Sequence, residues 1–187
     1  MEALVPAFLL ALLSQPGDRP PLLAAILADR TSRPRTILLA AALAHAAGNI
    51  VAALLGATLT PSLTPEAKSL LLAIALIFAG ATGFWTSKLP SRLERWRLGS
   101  FGTALLGLFI LAFGERTQFF TLALSTGGEP WFAAAGATLG ATIVSGAALI
   151  LGETAWTALP LRWVRIATAV LFLGAGLVIG VGALRLI

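Results

Sequence analysis

The chain predicts an all-α integral membrane protein: six transmembrane helices in two inverted three-helix repeats, with helices 1 and 4 each interrupted by a short polar motif. Three observations lead there. The first is composition: 58% of the 187 residues are hydrophobic and only 11% charged, against about 25% charged in a soluble domain. Mean hydropathy is +0.92. The second is spacing, because apolar runs near the roughly 20 residues needed to cross a bilayer fill the chain. The third is that two of those runs are broken at matching points by glycine, an acid and arginine: Gly17-Asp18-Arg19 and Gly114-Glu115-Arg116.

Span 1 is expected from Ala3 to Ala28, broken near Pro16–Pro21. Its first part, Leu4 to Leu13, resembles the apolar core of a signal peptide. Glu2 stands where such peptides carry basic residues, and no small-x-small cleavage site precedes Pro16, so a retained helix is expected. Span 2 runs from Thr36 to Leu59, with Pro61 and Pro65 bounding the following loop. Span 3 runs from Glu66 to Trp85, and a basic loop from Ser87 to Leu98 follows. Span 4 covers Phe101–Ser125, broken near Gly114; span 5 covers Trp131–Trp156; span 6 begins after Pro160 and reaches the C-terminus. Nothing remains for a soluble domain. The absence of cysteine excludes disulfides and thiolate metal or redox chemistry.

The two halves match in order. Gly17-Asp18-Arg19 pairs with Gly114-Glu115-Arg116 at an offset of 97. Leu54-Leu55-Gly56 pairs with Ile150-Leu151-Gly152 at 96, and Phe78-Ala79-Gly80-Ala81 with Phe172-Leu173-Gly174-Ala175 at 94. This divides the chain into repeat 1 (residues 1–86), a basic cytoplasmic loop (87–99) and repeat 2 (100–187). Three spans per repeat force the second to enter the membrane from the opposite side, a plan common among secondary transporters.

Basic residues set the orientation. Nine of the thirteen Lys and Arg fall after spans 1, 3 and 5: Arg30, Arg33, Arg35, Lys88, Arg92, Arg95, Arg97, Arg162 and Arg165. Lys68 and Arg185 fall on the other side, and Arg19 and Arg116 lie in the motifs. The bias puts the central loop in the cytoplasm and both termini outside, in a bacterial inner membrane. The net charge of +5 therefore reports topology, not nucleic-acid binding. The tryptophans agree: Trp85, Trp131, Trp156 and Trp163 lie near span ends and Trp96 in the basic loop, where indoles settle at an interface.

Asp18 and Glu115 are the principal candidates for chemistry, since charge at membrane depth is costly and kept mainly for function. A broken helix frees backbone carbonyls, and a carboxylate beside them makes an oxygen-rich cation and proton site. The plainer readings are an N-cap at Asp18, ahead of Arg19-Pro20-Pro21, and simple pairing of each acid with Arg19 or Arg116. Recurrence at Glu115, without the prolines, favours function. Gln15, Thr117, Gln118 and Asn49 could add neutral ligands, and Gln15 and Gln118 could instead cap the broken helices. His45 and Asn49 share a face of span 2, and Thr138, Thr142 and Ser145 share one of span 5. Helix–helix hydrogen bonding is the default role of such stripes, although the lone His45 could relay protons. Gly48, Gly56, Gly136, Gly140 and Gly146 suit close helix packing, and Glu153 suits a surface ion pair near Arg162 and Arg165. No phosphate loop, nucleophile constellation or Cys/His cluster points to an enzyme.

These motifs resemble the Golgi-type manganese/calcium–proton antiporter family, also called uncharacterised protein family sixteen, whose signature E-x-G-D-[KR]-[TS] occurs once per repeat. The resemblance covers nearly the whole chain, including Thr117-Gln118 and Leu159-Pro160-Leu161-Arg162-Trp163. It implies that Asp18 and Glu115 hold a transported Mn²⁺ or Ca²⁺, with Gly17, Arg19, Gly114 and Arg116 as motif partners and no resident cofactor. The chain departs from the signature as a divergent bacterial-type member would. Gln15 and Ala112 stand where the family has Glu, Pro20 where it has Thr, and Glu115 where it has Asp. Two acids then face two arginines, where the full signature has four acids.

The leading reading is exchange of a cation for protons. The alternatives are a carrier of the same fold for a monovalent or organic substrate, or a non-transporting membrane subunit with a degenerate site. The expected partners are the lipid bilayer, the transported cation and protons, with no nucleic acid and a homodimer left open. Because the chain has no cysteine, Ser87→Cys supplies a single thiol. It should react with an impermeant maleimide in inside-out vesicles and not in intact cells; labelling of intact cells contradicts the orientation.

Overall fold

A computed structural model describes residues 2–85 and 89–184. Ser87, the boundary at 86/87 and the chain end beyond Leu184 lie outside the described residues. The fold is all helical: α1 (Leu4–Ser14), α2 (Arg19–Thr31), α3 (Pro34–Leu59), α4 (Pro65–Gly83), α5 (Gly99–Ala112), α6 (Arg116–Ser125), α7 (Pro130–Ala158) and α8 (Leu161–Ala183). A 3₁₀ turn, Thr60–Ser62, follows α3. Among the described residues there is no strand.

Proline sets many of the starts. Pro20, Pro34, Pro65 and Pro130 occupy the first positions of α2, α3, α4 and α7, where an N–H has no partner to lose. Thr64 caps α4 by accepting from the Ala67 N–H at 3.3 Å. Among the described residues, four segments are long and apolar enough to cross a bilayer: 34–62, 65–83, α7 and α8. α5 and α6, bent 69° to one another, pass the same measure as a pair. α1 is apolar but has only 11 residues, and α2 carries Arg19, Asp29 and Arg30. The break thus leaves the first span short of the measure that the other segments meet.

The helices pack through small residues. α4 lies along α8, α3 along α7, α1 and α2 against α7, and α5 and α6 against α3. Added Cβ atoms show how closely the backbones approach. At Gly140 of α7, a Cβ would stand 2.6 Å from the Phe8 carbonyl oxygen of α1. At Gly176 of α8, it would stand 2.9 Å from the Ala73 carbonyl oxygen of α4. Such approach is how helices associate where the solvent is as apolar as the side chains. Large apolar residues such as Ile110, Ile150, Val178 and Leu177 are exposed on the outside, which fits a lipid-facing surface.

The loop 89–98 folds back on the helices. Leu93 packs against Gly107 of α5. Arg92 pairs with Glu153, whose N–H donates to Asp29 Oδ2 at 2.7 Å. Glu153 is therefore an ion-pair residue, but its partner is Arg92 of the loop, not Arg162 or Arg165. The reason is a kink at Gly152, φ 77°, which leaves the Glu153 N–H to be capped by Asp29 and turns that part of α7 towards the loop.

Gly140→Val should overpack the α1–α7 contact and cost about 1–3 kcal/mol. It is checked by thermal unfolding of the purified protein in detergent, with Gly174→Val, where no atom lies within 4 Å, as the neutral control.

Candidate functional site

The two breaks have the same backbone. Gly17 (φ +85°) and Gly114 (φ +81°) are left-handed, a conformation in which a side chain is strained. The next residue is extended in both: Asp18 at φ −86°, ψ 171° and Glu115 at φ −73°, ψ 164°. The N–H of Asp18 donates to the Gln15 carbonyl at 3.0 Å, and that of Glu115 to the Ala112 carbonyl at 3.2 Å. Each acid thus occupies the N-cap position of the following helix, yet neither side chain caps it. The N-cap reading accounts for where the acids sit and not for what their carboxylates do.

The carboxylates reach across to the other motif. Arg116 Nη2 donates to Asp18 and, at 2.9 Å, to the Ser14 carbonyl at the frayed end of α1. Gln15 Nε2 donates to Glu115 Oε2 at 3.3 Å and to Thr117 Oγ1 at 3.0 Å. Thr117 also lies 3.3 Å from Ser14 Oγ. These two contacts fix the Gln15 amide, because a flip would turn its oxygen towards the Glu115 carboxylate. Pairing of acid with base is therefore real for Asp18, but it runs between motifs. Arg19 is exposed, whereas Arg116 is buried.

The remaining predicted residues divide. Gln118 Oε1 accepts from the Gly114 N–H at 2.8 Å, so Gln118 caps the break. Asn49 bonds to Thr138 at 3.2 Å and accepts from Thr121 at 3.0 Å, and Thr121 also bonds the Thr117 carbonyl. This makes Asn49 part of a buried network behind Thr117. His45 bonds Ser145 at 3.1 Å, which ties α3 to α7. Thr142 Oγ1 is buried with no hydrogen-bond partner among the described residues.

A cavity of about 290 Å³ joins the motifs. Asp18, Glu115, Arg19, Arg116 and Arg165 line it, with Phe78 and Thr82 of α4 and Trp85 just beyond its end. A second, of about 200 Å³, reaches Gly17 and Asp18 from the side of Trp156, Leu161 and Arg162. Arg165 is the residue that sequence reasoning missed, having counted it with the cytoplasmic loops. It is 8% exposed and lines both cavities. The signal was its spacing, since Arg165, Thr168, Ala169 and Phe172 fall on the buried face of α8.

Four polar atoms around the motifs and these cavities are buried without a partner among the described residues: Gln15 Oε1, an acceptor, and Arg116 Nη1, Arg165 Nε and Trp156 Nε1, all donors. Buried polar groups are normally satisfied, so unmet capacity of both signs sits at one place. No group of three or more His, Cys, Asp or Glu occurs among the described residues. Two carboxylates, a free amide oxygen and the Thr117 hydroxyl make an oxygen donor set that suits a hard cation.

Broken, charge-bearing helices meeting inside a bundle of apolar helices define a multi-pass membrane transporter. The chain belongs to the divalent cation/proton antiporter GDT1 family, whose model matches residues 3–91 and 100–185. It is 27% identical over 164 residues to a Vibrio cholerae protein named "Putative manganese exporter", covering 86% of this chain and 82% of that one. It is 28% identical over 89 residues to the Saccharomyces cerevisiae "Divalent cation/proton antiporter GDT1", covering 46% of this chain and 32% of that one. No solved structure matches significantly.

Arg116→Ala should cost about 3–5 kcal/mol, because it strands a buried carboxylate and the Ser14 carbonyl. Arg19→Ala, at an exposed position, should stay within about 0.5 kcal/mol. Denaturant midpoints in detergent measure both; equal losses contradict the asymmetry.

Proposed function

We propose that this protein is a secondary transporter of the bacterial inner membrane that exchanges a divalent cation, Mn²⁺ or Ca²⁺, for protons. The observation that carries the proposal is the mutual contact of the two Gly-acid-Arg breaks: Arg116 to Asp18, and Gln15 to Glu115. Asp18 and Glu115 take cation and protons in turn, with Gln15 Oε1 and Thr117 as neutral ligands. Gln118 and Asn49 hold the site's shape. The Arg116 guanidinium leaves Asp18 when a cation arrives, since a carboxylate cannot serve both fully.

Six spans follow if α1 with α2, and α5 with α6, each count as one broken crossing. The repeats are then residues 1–86 and 100–187, joined by the loop 87–99. Several features support inversion. The backbone recurs at Gly17 and Gly114. The packing is reciprocal: α1 and α2 lie on α7 as α5 and α6 lie on α3, while α3–α7 and α4–α8 pair with their counterparts. The family model also matches in two stretches, 3–91 and 100–185, separated by a gap within the central loop.

Both cavities approach Asp18 from the end that holds Trp85, Trp156 and Arg165. The basic residues assign that end to the cytoplasm and both termini to the outside. On the far side lie the Thr117, Thr121, Asn49 and Thr138 network and the Phe120–Phe172 ring contact. This supports a cytoplasm-facing state, and alternating access moves one repeat against the other.

In proteoliposomes, an imposed pH gradient should drive Mn²⁺ uptake. Asp18→Asn and Glu115→Gln each remove a charged ligand worth about 1.5–3 kcal/mol, so flux at low Mn²⁺ should fall about ten- to hundredfold. Unchanged flux in both variants, with folding intact, rejects the assignment.

A further inference from the structure

The charges around the cavity do not suit a lone cation. Asp18 and Glu115 supply two negative charges, and Arg19, Arg116 and Arg165 supply three positive ones. With both acids ionised to receive it, a bound divalent cation leaves the site at a net charge of +3, in surroundings where uncompensated charge is expensive. We propose that the cavity also takes a small carboxylate-type oxyanion, such as hydrogen carbonate or a short carboxylate, held by Arg116 and Arg165 and bound together with the cation.

Three independent observations favour this. Arg116 and Arg165 are each 8% exposed, and each has a buried nitrogen, Nη1 and Nε respectively, with no hydrogen-bond partner among the described residues. Two guanidinium groups with spare donors match the fork of a carboxylate. In addition, α2 and α6 both begin at this cavity, and neither has a side-chain cap, so the positive ends of two helices point to the same place. Finally, the free acceptor Gln15 Oε1 belongs to the same cluster, so the unmet capacity is of both signs, as a bound ion pair requires. The oxyanion offers one side to the guanidinium groups and the other to the metal. It thereby supplies oxygen ligands where the chain has Gln15 and Ala112.

The cation half rests on the transport reading above, whereas the anion half does not, and the experiment separates them. Purified protein is titrated with sodium formate at constant pH and ionic strength, with methanesulfonate as the balancing anion. Formate should raise the melting temperature without Mn²⁺. It should also tighten Mn²⁺ binding, read by calorimetry, by about five- to 150-fold, the usual range of coupling between sites. By linkage, Mn²⁺ should tighten formate binding by the same factor. Arg165→Gln should abolish both effects. Arg165→Lys, which keeps the charge without the fork, should retain part of them and serves if the glutamine variant does not fold.

Absence of any formate effect in the wild-type protein overturns the proposal, whatever the fate of Mn²⁺ transport. A thermal shift from phosphatidic acid micelles but not from formate also overturns it, and assigns the donors to a lipid phosphate. Formate binding without Mn²⁺ binding keeps the anion site and rejects the cation reading instead.

Discussion

The architecture turns on one buried guanidinium. Arg116 opens the second half-helix of one motif, yet its partners, Asp18 and the Ser14 carbonyl, belong to the other. Unwinding a helix in an apolar surrounding leaves carbonyls such as that of Ser14 without their usual donors. A charge in the same surrounding needs an opposite charge. One side chain meets both demands, and so the two breaks must lie together. The close approach of α7 to α1 through Gly140, and of α3 to α6 through Gly56, follows from bringing them there.

Much of this was legible in the sequence because its signals are local. Proline marks the starts of α3, α4 and α7 within a few residues of the expected spans. Glycine before an acid marked both breaks, because a left-handed φ at Gly17 and Gly114 is a property of the residue itself. The family could be read from the same motifs, and the family match covers nearly the whole chain.

What stayed hidden is the choice among partners distant in the chain. That Arg116 and not Arg19 is buried cannot be read from two near-identical tripeptides; packing around them decides it. Arg165 looked like one more loop cation because its charge masked its position on the inward face of α8. Glu153 was recognisable as an ion-pair residue, but its partner depended on the kink at Gly152 and on how the loop 89–98 folds back. Gln118 could equally cap or coordinate, and the Gly114 N–H takes its oxygen.

The two motif glycines differ in their surroundings. Gly17 sits against the Leu161 carbonyl and the Arg165 side chain, with atoms 3.5–3.8 Å from where a Cβ would be. A Cβ added at Gly114 would meet nothing within 4 Å, and its neighbour Phe113 is 54% exposed. One break is clamped by protein; the other is exposed and borders the cavity that holds the two acids. The two breaks are therefore not mechanically equivalent: the second has open space beside it into which it can shift, and the first must displace Leu161 or Arg165 to do so.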